Sequence, residues 1–169
     1  RLYGGVNMAK ACIAVIGAGL MGHGIAQVFA LGGHDVVITD SFTTNLNTVK
    51  ERISANLRDL DDDPKAVERV TPVADLATAV READFGVEAV LEDLAVKRRL
   101  FGEIEKHVRA DTILASNTSV IPITRIMEGL EVSRATVNRD LQTLRDGMNA
   151  PIVYDRARGA YRIEHDDNA

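Results

Sequence analysis

The sequence predicts an α/β fold in which helices cover both faces of a doubly wound parallel sheet. Segments with strand and helix patterns alternate over residues 12–130, and this alternation is typical of right-handed strand–helix–strand units. The composition favours the same class, because 46% of the 169 residues are hydrophobic while only 4% are aromatic. Small aliphatic side chains suit helices that pack closely on a parallel sheet.

The first two strands and helices have the clearest patterns. Cys12–Ile16 is a short apolar run, as expected of a strand buried on both faces. Asp35–Thr39 is expected to be a second strand that ends at Asp40. The helix between them ends at Gly32 and Gly33. Its apolar positions are Leu20, Ile25, Val28 and Phe29. A second helix ends in an acidic loop at residues 61–64. Its apolar face consists of Leu46, Val49, Ile53 and Leu57.

Weaker patterns continue the alternation beyond the acidic loop. Strands are expected at Val70–Val73, Phe85–Val90 and Thr112–Ala115. A short helix is expected at Leu76–Arg81. A longer helix has the buried positions Leu100, Phe101, Ile104 and Val108. Pro122 can open a further helix. The apolar positions of that helix are Ile123, Ile126, Met127 and Leu130.

Charge and hydropathy exclude several classes of function. No apolar run approaches the roughly 20 residues that cross a bilayer, and no basic segment opens the chain, so we expect a soluble cytoplasmic protein with no membrane partner. The net charge of −5 gives no general attraction to nucleic acid, although a local contact stays open. Cys12 is the single cysteine, and we expect it to be a buried structural thiol.

A glycine loop joins the first strand to the first helix. Gly17, Gly19 and Gly22 have the spacing G-x-G-x-x-G, which permits a tight turn, close approach to a diphosphate and close helix–strand packing. The amides at the helix N-terminus can bind the phosphates. The sequence therefore predicts a Rossmann-like dinucleotide-binding site. Its backbone is formed by Gly17, Ala18, Gly19, Leu20, Met21 and Gly22. A glycine turn that only connects two elements is the alternative.

Asp40 is the acidic partner expected of such a site. It ends the second strand, about 20 residues after the glycine loop. A carboxylate there accepts hydrogen bonds from ribose hydroxyls and repels a 2′-phosphate, so NAD is expected rather than NADP. The alternative for Asp40 is a simple capping or turn role.

Three motifs resemble the NAD-binding domain of bacterial 3-hydroxyacyl-CoA dehydrogenases over residues 8–130. They are Val15–Asp40 (VIGAGLMGHGIAQVFALGGHDVVITD), Val87–Leu100 (VEAVLEDLAVKRRL) and the Ser116–Ser119 segment (SNTS) followed by Ile123 and Thr124. The resemblance implies an NAD cofactor whose diphosphate lies on the glycine loop and whose adenosine ribose lies at Asp40.

The same resemblance assigns three further residues. It implies that Glu92 and Lys97 lie near the nicotinamide side of the cofactor and that Ser116 contacts cofactor and substrate. For Glu92 and Lys97 the alternative is a solvated ion pair at a helix start. Ser116 has the alternative of an ordinary loop hydroxyl.

The sequence departs from this family after residue 130. The family continues with a strand that bears a catalytic histidine, a glutamate that orients it and a helical domain that closes over the acyl-CoA. None of these features is recognised here, so we expect a catalytically incomplete chain with no assigned catalytic residue, and its status as an enzyme stays open. The histidines offer no obvious replacement and are expected at the surface; they are His23, His34, His107 and His165.

The C-terminal part resembles something else, the recognition helix and wing of a bacterial winged helix-turn-helix regulator. The resemblance rests on Glu131–Leu144 (EVSRATVNRDLQTL) and Ala150–Ile163 (APIVYDRARGAYRI). It implies DNA contacts by Ser133, Arg134, Thr136, Asn138, Arg139, Arg156 and Arg158. The two resemblances meet within one helix, which suggests a chimera.

The expected organisation has four parts: an upstream extension at 1–7, the Rossmann-like domain at 8–130, a partial winged-helix segment at 131–164 and a tail at 165–169. The C-terminal segment is too small to be stable alone, so it is expected to pack on the first domain or on another copy, as a homodimer or by strand exchange. One hypothesis adds Ile152–Tyr154 to the sheet beside Thr112–Ala115, with Ala160–Ile163 antiparallel at its edge.

Three functions stay open. The first is an NAD(H)-binding domain of dehydrogenase type, the second a DNA-binding regulator fragment carried on a Rossmann-like domain, and the third a structural chimera without evolved activity. The first and third are favoured over the second, because reading a DNA groove needs a rigid three-helix support.

Overall fold

The computed structural model describes residues 10–128, 152–155 and 160–163. The chain divides into two compact units, Arg1–Ile121 and Pro122–Ala169, and each is described by itself. Among the described residues, no helix is both long enough and apolar enough to cross a membrane.

Five parallel strands form the sheet of the first unit. They are β1 (Cys12–Ile16), β2 (Asp35–Thr39), β3 (Val70–Pro72), β4 (Phe85–Glu88) and β5 (Ile113–Ser116). Their order is β3-β2-β1-β4-β5, so the winding direction reverses between β1 and β4. Such a switch point creates a crevice at the carboxyl ends of the strands, where ligands bind in folds of this class. The predicted doubly wound α/β sheet is confirmed.

The strand register aligns four carboxyl ends at this crevice. Ile16 pairs with Thr39 on one side and with Glu88 on the other, and Glu88 pairs with Ser116. The last residues of β1, β2, β4 and β5 therefore lie in one row along the sheet edge.

Helices connect the strands of the first unit. They are α1 (Leu20–Leu31), α2 (Thr43–Asp59), α3 (Leu76–Val80) and α4 (Leu94–Ile104), with a 3-10 helix at Pro64–Arg69 between α2 and β3. Asp75 and Asp93 cap α3 and α4, because their side chains accept hydrogen bonds from the amides of Thr78 and Val96. No side chain caps the N-terminus of α1.

The core is divided by the sheet into two layers. Ile13 and Val15 of β1 face one layer, while Ala14 and Ile16 face the other, as the alternation of side chains along a strand requires. The first layer is completed by α1, α2 and the 3-10 helix, and the second by α3 and α4. The buried face of α2 is the predicted one, namely Leu46, Val49, Ile53 and Leu57.

Several boundaries differ from the expectation for local reasons. The acidic loop ends in a 3-10 helix, because Asp63 accepts the Lys65 amide and the fixed φ of Pro64 suits the first turn. Strand β4 ends at Glu88 rather than Val90, because the Glu88 carboxylate accepts the Val90 amide at 2.7 Å. Strand β5 is shifted by one residue and includes Ser116.

The second unit contains α5 (Ile123–Met127) and two strands, β6 (Ile152–Asp155) and β7 (Ala160–Ile163). The strands pair antiparallel in a two-stranded sheet of their own. The prediction of a hairpin is confirmed, but its addition to the sheet beside β5 is wrong. The predicted helix from Ser133 and the turn at Gly159 lie outside the described residues.

Candidate dinucleotide-binding site

The turn between β1 and α1 needs glycine at its first position. Gly17 has a φ of 107°, a conformation that L side chains rarely adopt. Its amide donates to the Thr39 carbonyl at 2.8 Å, and a Cβ built on it would lie 2.5 Å from the Ala89 carbonyl oxygen. The turn is therefore wedged between the ends of β2 and β4.

The other two glycines differ from each other in what surrounds them. A Cβ on Gly22 would lie 1.7 Å from the Gly17 carbonyl oxygen, so α1 can approach the turn only without a side chain there. A Cβ on Gly19 would meet nothing within 4 Å. Contacts within the described part of the chain thus require glycine at Gly17 and Gly22. At Gly19 they instead leave an open space at the start of the helix.

The first turn of α1 offers amides to that open space. The first hydrogen bond of the helix runs from the His23 amide to the Gly19 carbonyl at 3.2 Å. The amides of Leu20, Met21 and Gly22 therefore have no partner within the helix, and no side chain caps them. Unpaired amides at the positive end of the helix dipole form a ready anion site, so the turn fits a diphosphate.

Asp40 lies against this turn and is held by three donors. Its Oδ2 accepts the Ala18 amide at 2.7 Å and the Asn45 side-chain amide at 3.0 Å, while Oδ1 accepts the Phe42 amide at 2.8 Å. The turn role that the sequence left open is thus present. A carboxylate offers about four acceptor positions, so Oδ1 keeps one for a ligand hydroxyl.

Near the ends of β4 and β5 lies a cluster of four polar side chains, namely Glu88, Glu92, Lys97 and Ser116. Lys97 is fully buried, and its Nζ donates to both Glu88 oxygens, at 2.7 and 2.9 Å. It also lies 3.2 Å from Glu92 Oε2. The Ser116 hydroxyl donates to Glu88 Oε2 at 2.5 Å. The alternative of a solvated pair is therefore wrong for Lys97, since a buried ammonium requires its carboxylate partners.

Glu92 occupies a nest of donors from the loop after β5. Its Oε1 accepts the Thr118 hydroxyl at 2.5 Å and the amides of Ser119 and Val120 at 3.1 and 3.2 Å. The hydrogen bond from Thr118 is the largest of the effects that lower the pKa of Glu92 to about 2. Glu92 is therefore ionised at neutral pH, although its side chain stays 30% exposed.

The glycine turn with Asp40 and the cluster around Glu88 adjoin at the switch point. The Ala89 amide donates to the Ile16 carbonyl at 2.7 Å, and the Asn117 amide donates to the Glu88 carbonyl at 2.7 Å. The loop after β4 therefore contacts the glycine turn on one side and the loop after β5 on the other. All ten predicted cofactor-site residues belong to the first unit. Nine of them lie at this edge of the sheet, and the tenth, Lys97, reaches it from α4.

Two of the histidine expectations are wrong. His23 and His34 are buried, each 7% exposed, because each ring serves a local hydrogen bond. His23 Nδ1 lies 2.8 Å from the Gly19 carbonyl, and His34 Nδ1 accepts the Ala11 amide at 3.2 Å. His107 is partly exposed beside Glu103, and His165 lies outside the described residues.

Sequence reasoning also missed residues that the cluster depends on. Glu88 was read as part of an apolar strand, yet it accepts four hydrogen bonds, from Lys97, Ser116 and the Val90 amide. A single acidic residue at the end of a buried strand was the available signal. Thr118 was quoted within a motif but given no role. No group of metal-ligating side chains occurs among the residues that the structure describes.

Comparison with known proteins decides the family. The sequence model described as "3-hydroxyacyl-CoA dehydrogenase, NAD binding domain" matches residues 12–138. The chain belongs to this family. The matched range continues beyond Leu130, where the sequence pattern had suggested a boundary.

Several relatives support membership in the 3-hydroxyacyl-CoA dehydrogenase family. Mitochondrial hydroxyacyl-coenzyme A dehydrogenase from pig (Sus scrofa) is 40% identical over 127 residues, covering 68% of this chain and 40% of the relative. The human (Homo sapiens) protein is 38% identical with the same coverage. This chain therefore spans about 40% of the length of these curated relatives.

Solved structures give the same result. The structure of 3-hydroxybutyryl-CoA dehydrogenase from Escherichia coli superimposes with a TM-score of 0.65 at 32% identity, covering 72% of this chain and 27% of that one. The (S)-3-hydroxybutyryl-CoA dehydrogenase from Ralstonia eutropha gives a TM-score of 0.66 at 27% identity, covering 71% and 45%. NAD is the cofactor of the domain family, and the expected cofactor is confirmed.

The predicted DNA contacts find no test in the described residues. Ser133, Arg134, Thr136, Asn138 and Arg139 lie outside them, as do Arg156 and Arg158. The winged-helix resemblance and the chimera therefore stay predictions.

The close approach at Gly22 predicts a sharp difference between two glycines of α1. In Gly22→Ala the new Cβ collides with the Gly17 backbone, so we expect a loss of about 3 kcal/mol in the free energy of unfolding and a loss of dinucleotide binding. Gly24→Ala is the matched control, because a Cβ there meets nothing within 4 Å and alanine favours a helix by about 1 kcal/mol. Urea unfolding checks both; equal effects would contradict the packing argument.

The nest around Glu92 predicts a titration that depends on Thr118. In Thr118→Val the largest effect that lowers the Glu92 pKa is lost, so the midpoint rises from about 2. A depressed pKa stabilises the fold above the ordinary value and loses this contribution as the pH falls towards 2. Carboxyl NMR between pH 2 and 7 measures the midpoint. Thr78→Val is the control, since it should raise the pKa of Asp75 and leave Glu92 unchanged.

Proposed function

We propose that this chain is the NAD(H)-binding part of an oxidoreductase of 3-hydroxyacyl-CoA dehydrogenase type. The proposal rests on one observation: the first-turn amides of α1 are unpaired and face the open space at Gly19. Glycine there has no packing reason among the described contacts, so a ligand that needs close approach to the backbone explains it.

In this proposal the glycine turn with Asp40 binds one half of the dinucleotide, and the cluster around Glu88 binds the other half. The glycine-turn amides bind the diphosphate, and the free acceptor position of Asp40 binds the adenosine ribose. Glu92 and Lys97 serve the nicotinamide side. NAD itself supplies the hydride acceptor. The Ser116 hydroxyl already donates to Glu88, so it contacts a ligand through its remaining acceptor capacity.

We further propose that no histidine of the described residues can serve as the general base for hydride transfer. Removal of a hydride from a hydroxyl carbon requires a group that accepts the hydroxyl proton. His23 and His34 are buried in local hydrogen bonds, and His107 lies in the segment before β5, at the amino end of that strand. Steady oxidation of a 3-hydroxyacyl-CoA by this chain would contradict the proposal.

Cytoplasmic location and self-association stay predictions, and the pig and human relatives are named mitochondrial. Nothing in the described residues favours the DNA-binding alternative over the dinucleotide site.

The role of Asp40 predicts the cofactor preference. We expect calorimetry to give tighter binding of NAD than of NADP, because a carboxylate repels a 2′-phosphate. In Asp40→Ser the ratio of the two dissociation constants should fall about tenfold, the equivalent of about 1.4 kcal/mol. The ratio cancels any damage to the turn that affects both ligands equally.

Asp63→Ser is the matched control for Asp40→Ser, because Asp63 also accepts a backbone amide but caps the distant 3-10 helix. Its ratio should stay that of the unmodified chain. Failure of the unmodified chain to bind saturating NAD would contradict the proposed function, and an unchanged ratio in Asp40→Ser would contradict the assignment of Asp40.

A further inference from the structure

Arg52 of α2 binds the back of the glycine turn. Its Nη2 donates to the Ala18 carbonyl at 2.6 Å and to the Asn45 carbonyl at 2.9 Å, and its Nη1 lies 3.4 Å from the Gly19 carbonyl. Arg52 belongs to none of the recognised sequence motifs. Its contacts nevertheless fix two successive carbonyl groups of the turn.

Fixing these carbonyls also fixes the amides that face the opposite way. A trans peptide is planar, and its C=O and N–H groups point in opposite directions. No cis peptide occurs in the described residues. The Ala18 carbonyl shares its peptide with the Gly19 amide, and the Gly19 carbonyl shares its peptide with the Leu20 amide. When Arg52 holds the carbonyls towards α2, it directs the amides of Gly19 and Leu20 away from α2.

His23 reinforces the second of these peptides. Its Nδ1 lies 2.8 Å from the Gly19 carbonyl, and its Nε2 lies 3.2 Å from the Asn56 side-chain nitrogen. His23 Nδ1 also lies 3.1 Å from Arg52 Nη1, so the ring contacts the turn and the guanidinium together. Asn56 and Arg52 thus hold a buried ring against the turn.

The charge of Arg52 has no carboxylate partner in the described part of the chain. No carboxylate oxygen lies within salt-bridge distance of it there. Its hydrogen-bond partners are the carbonyls of Ala18, Gly19 and Asn45, and its Nη1 also lies 3.1 Å from His23 Nδ1. The side chain is half-buried, and its Nε is buried without a partner. An unpaired, partly desolvated cation is costly, and an anion on the far side of the turn would compensate it.

We propose that Arg52 is a positioning residue for dinucleotide binding, with His23 as its support. Arg52 directs the Gly19 and Leu20 amides towards the diphosphate and places an uncompensated positive charge behind them. The inference deepens the proposed function and rests on it, because the diphosphate is the ligand that these amides would receive.

The test compares ligands with and without a diphosphate. In Arg52→Met the dissociation constant of ADP should rise about tenfold, because charge-assisted hydrogen bonds to the turn are lost. The affinity for adenosine, measured by NMR titration, should not change. Arg52→Lys keeps the charge but not the planar fork, so its loss for ADP should be smaller. Arg58→Met is the control, since Arg58 is an exposed arginine on the same helix.

Two outcomes would overturn the inference. The first is an equal loss for ADP and adenosine in both Arg52 variants, which indicates a merely structural role. The second is an unchanged affinity for ADP in folded Arg52→Met.

A separate measurement distinguishes failure of the inference from failure of the proposed function. Residual dipolar couplings report the orientation of the Gly19 and Leu20 N–H bonds without any ligand. They should fit the structure in the unmodified chain and in Arg58→Met but deviate in Arg52→Met. If the unmodified chain binds no ADP, the proposed function fails; unchanged couplings in Arg52→Met overturn the positioning role.

Discussion

The site depends on the backbone-to-backbone approach of α1 to the turn that precedes it. A side chain on Gly22 would begin 1.7 Å from the Gly17 carbonyl oxygen, so the absence of a Cβ allows the helix to start directly behind β1. The turn itself reverses the chain through the positive φ of Gly17 and is wedged against the ends of β2 and β4. These constraints place a helix N-terminus at the switch point of the sheet, where its dipole and unpaired amides face the crevice.

Two charged clusters flank this helix start and differ in how their charge is compensated. In the cluster of Glu88, Glu92, Lys97 and Ser116, a buried lysine has two carboxylate partners and every carboxylate has several donors. Removal of one partner from such a network strongly destabilises the fold, because it leaves a buried charge without compensation. Behind the glycine turn, Arg52 contacts only neutral groups. We propose that an anion bound at the turn compensates this charge.

The sequence predicted those parts of the fold that follow from short-range patterns. The strands β1 and β2 and the buried face of α2 were predicted to the residue, because alternation and helical spacing report burial directly. The glycine turn was predicted because the spacing of its three glycines between a strand and a helix is a local pattern. The shift of β5 by one residue and the early end of β4 were missed, since the apolar pattern does not report side-chain hydrogen bonds at the strand ends. The separate sheet formed by β6 and β7 was missed as well.

Long-range side-chain contacts explain the rest of what the sequence left out. Arg52 lies 34 residues from Ala18 in the chain, and Thr118 lies 26 residues from Glu92. Helical spacing assigns Arg52 to the less apolar side of α2, and nothing in that pattern indicates that this side contacts the glycine turn. His23 was expected at the surface but is buried, because no local pattern after a glycine loop indicates its partners Gly19 and Asn56.

The central claim is that the amides of the β1–α1 turn receive the diphosphate of NAD. The most direct measurement is an NMR titration of the 15N-labelled chain with NAD, followed at every assigned amide. We expect the largest shifts at Gly19, Leu20 and Met21, with smaller shifts at Asp40 and Glu92. Saturating NAD that leaves the amides of the turn unmoved would contradict it, even if shifts occurred elsewhere in the sheet.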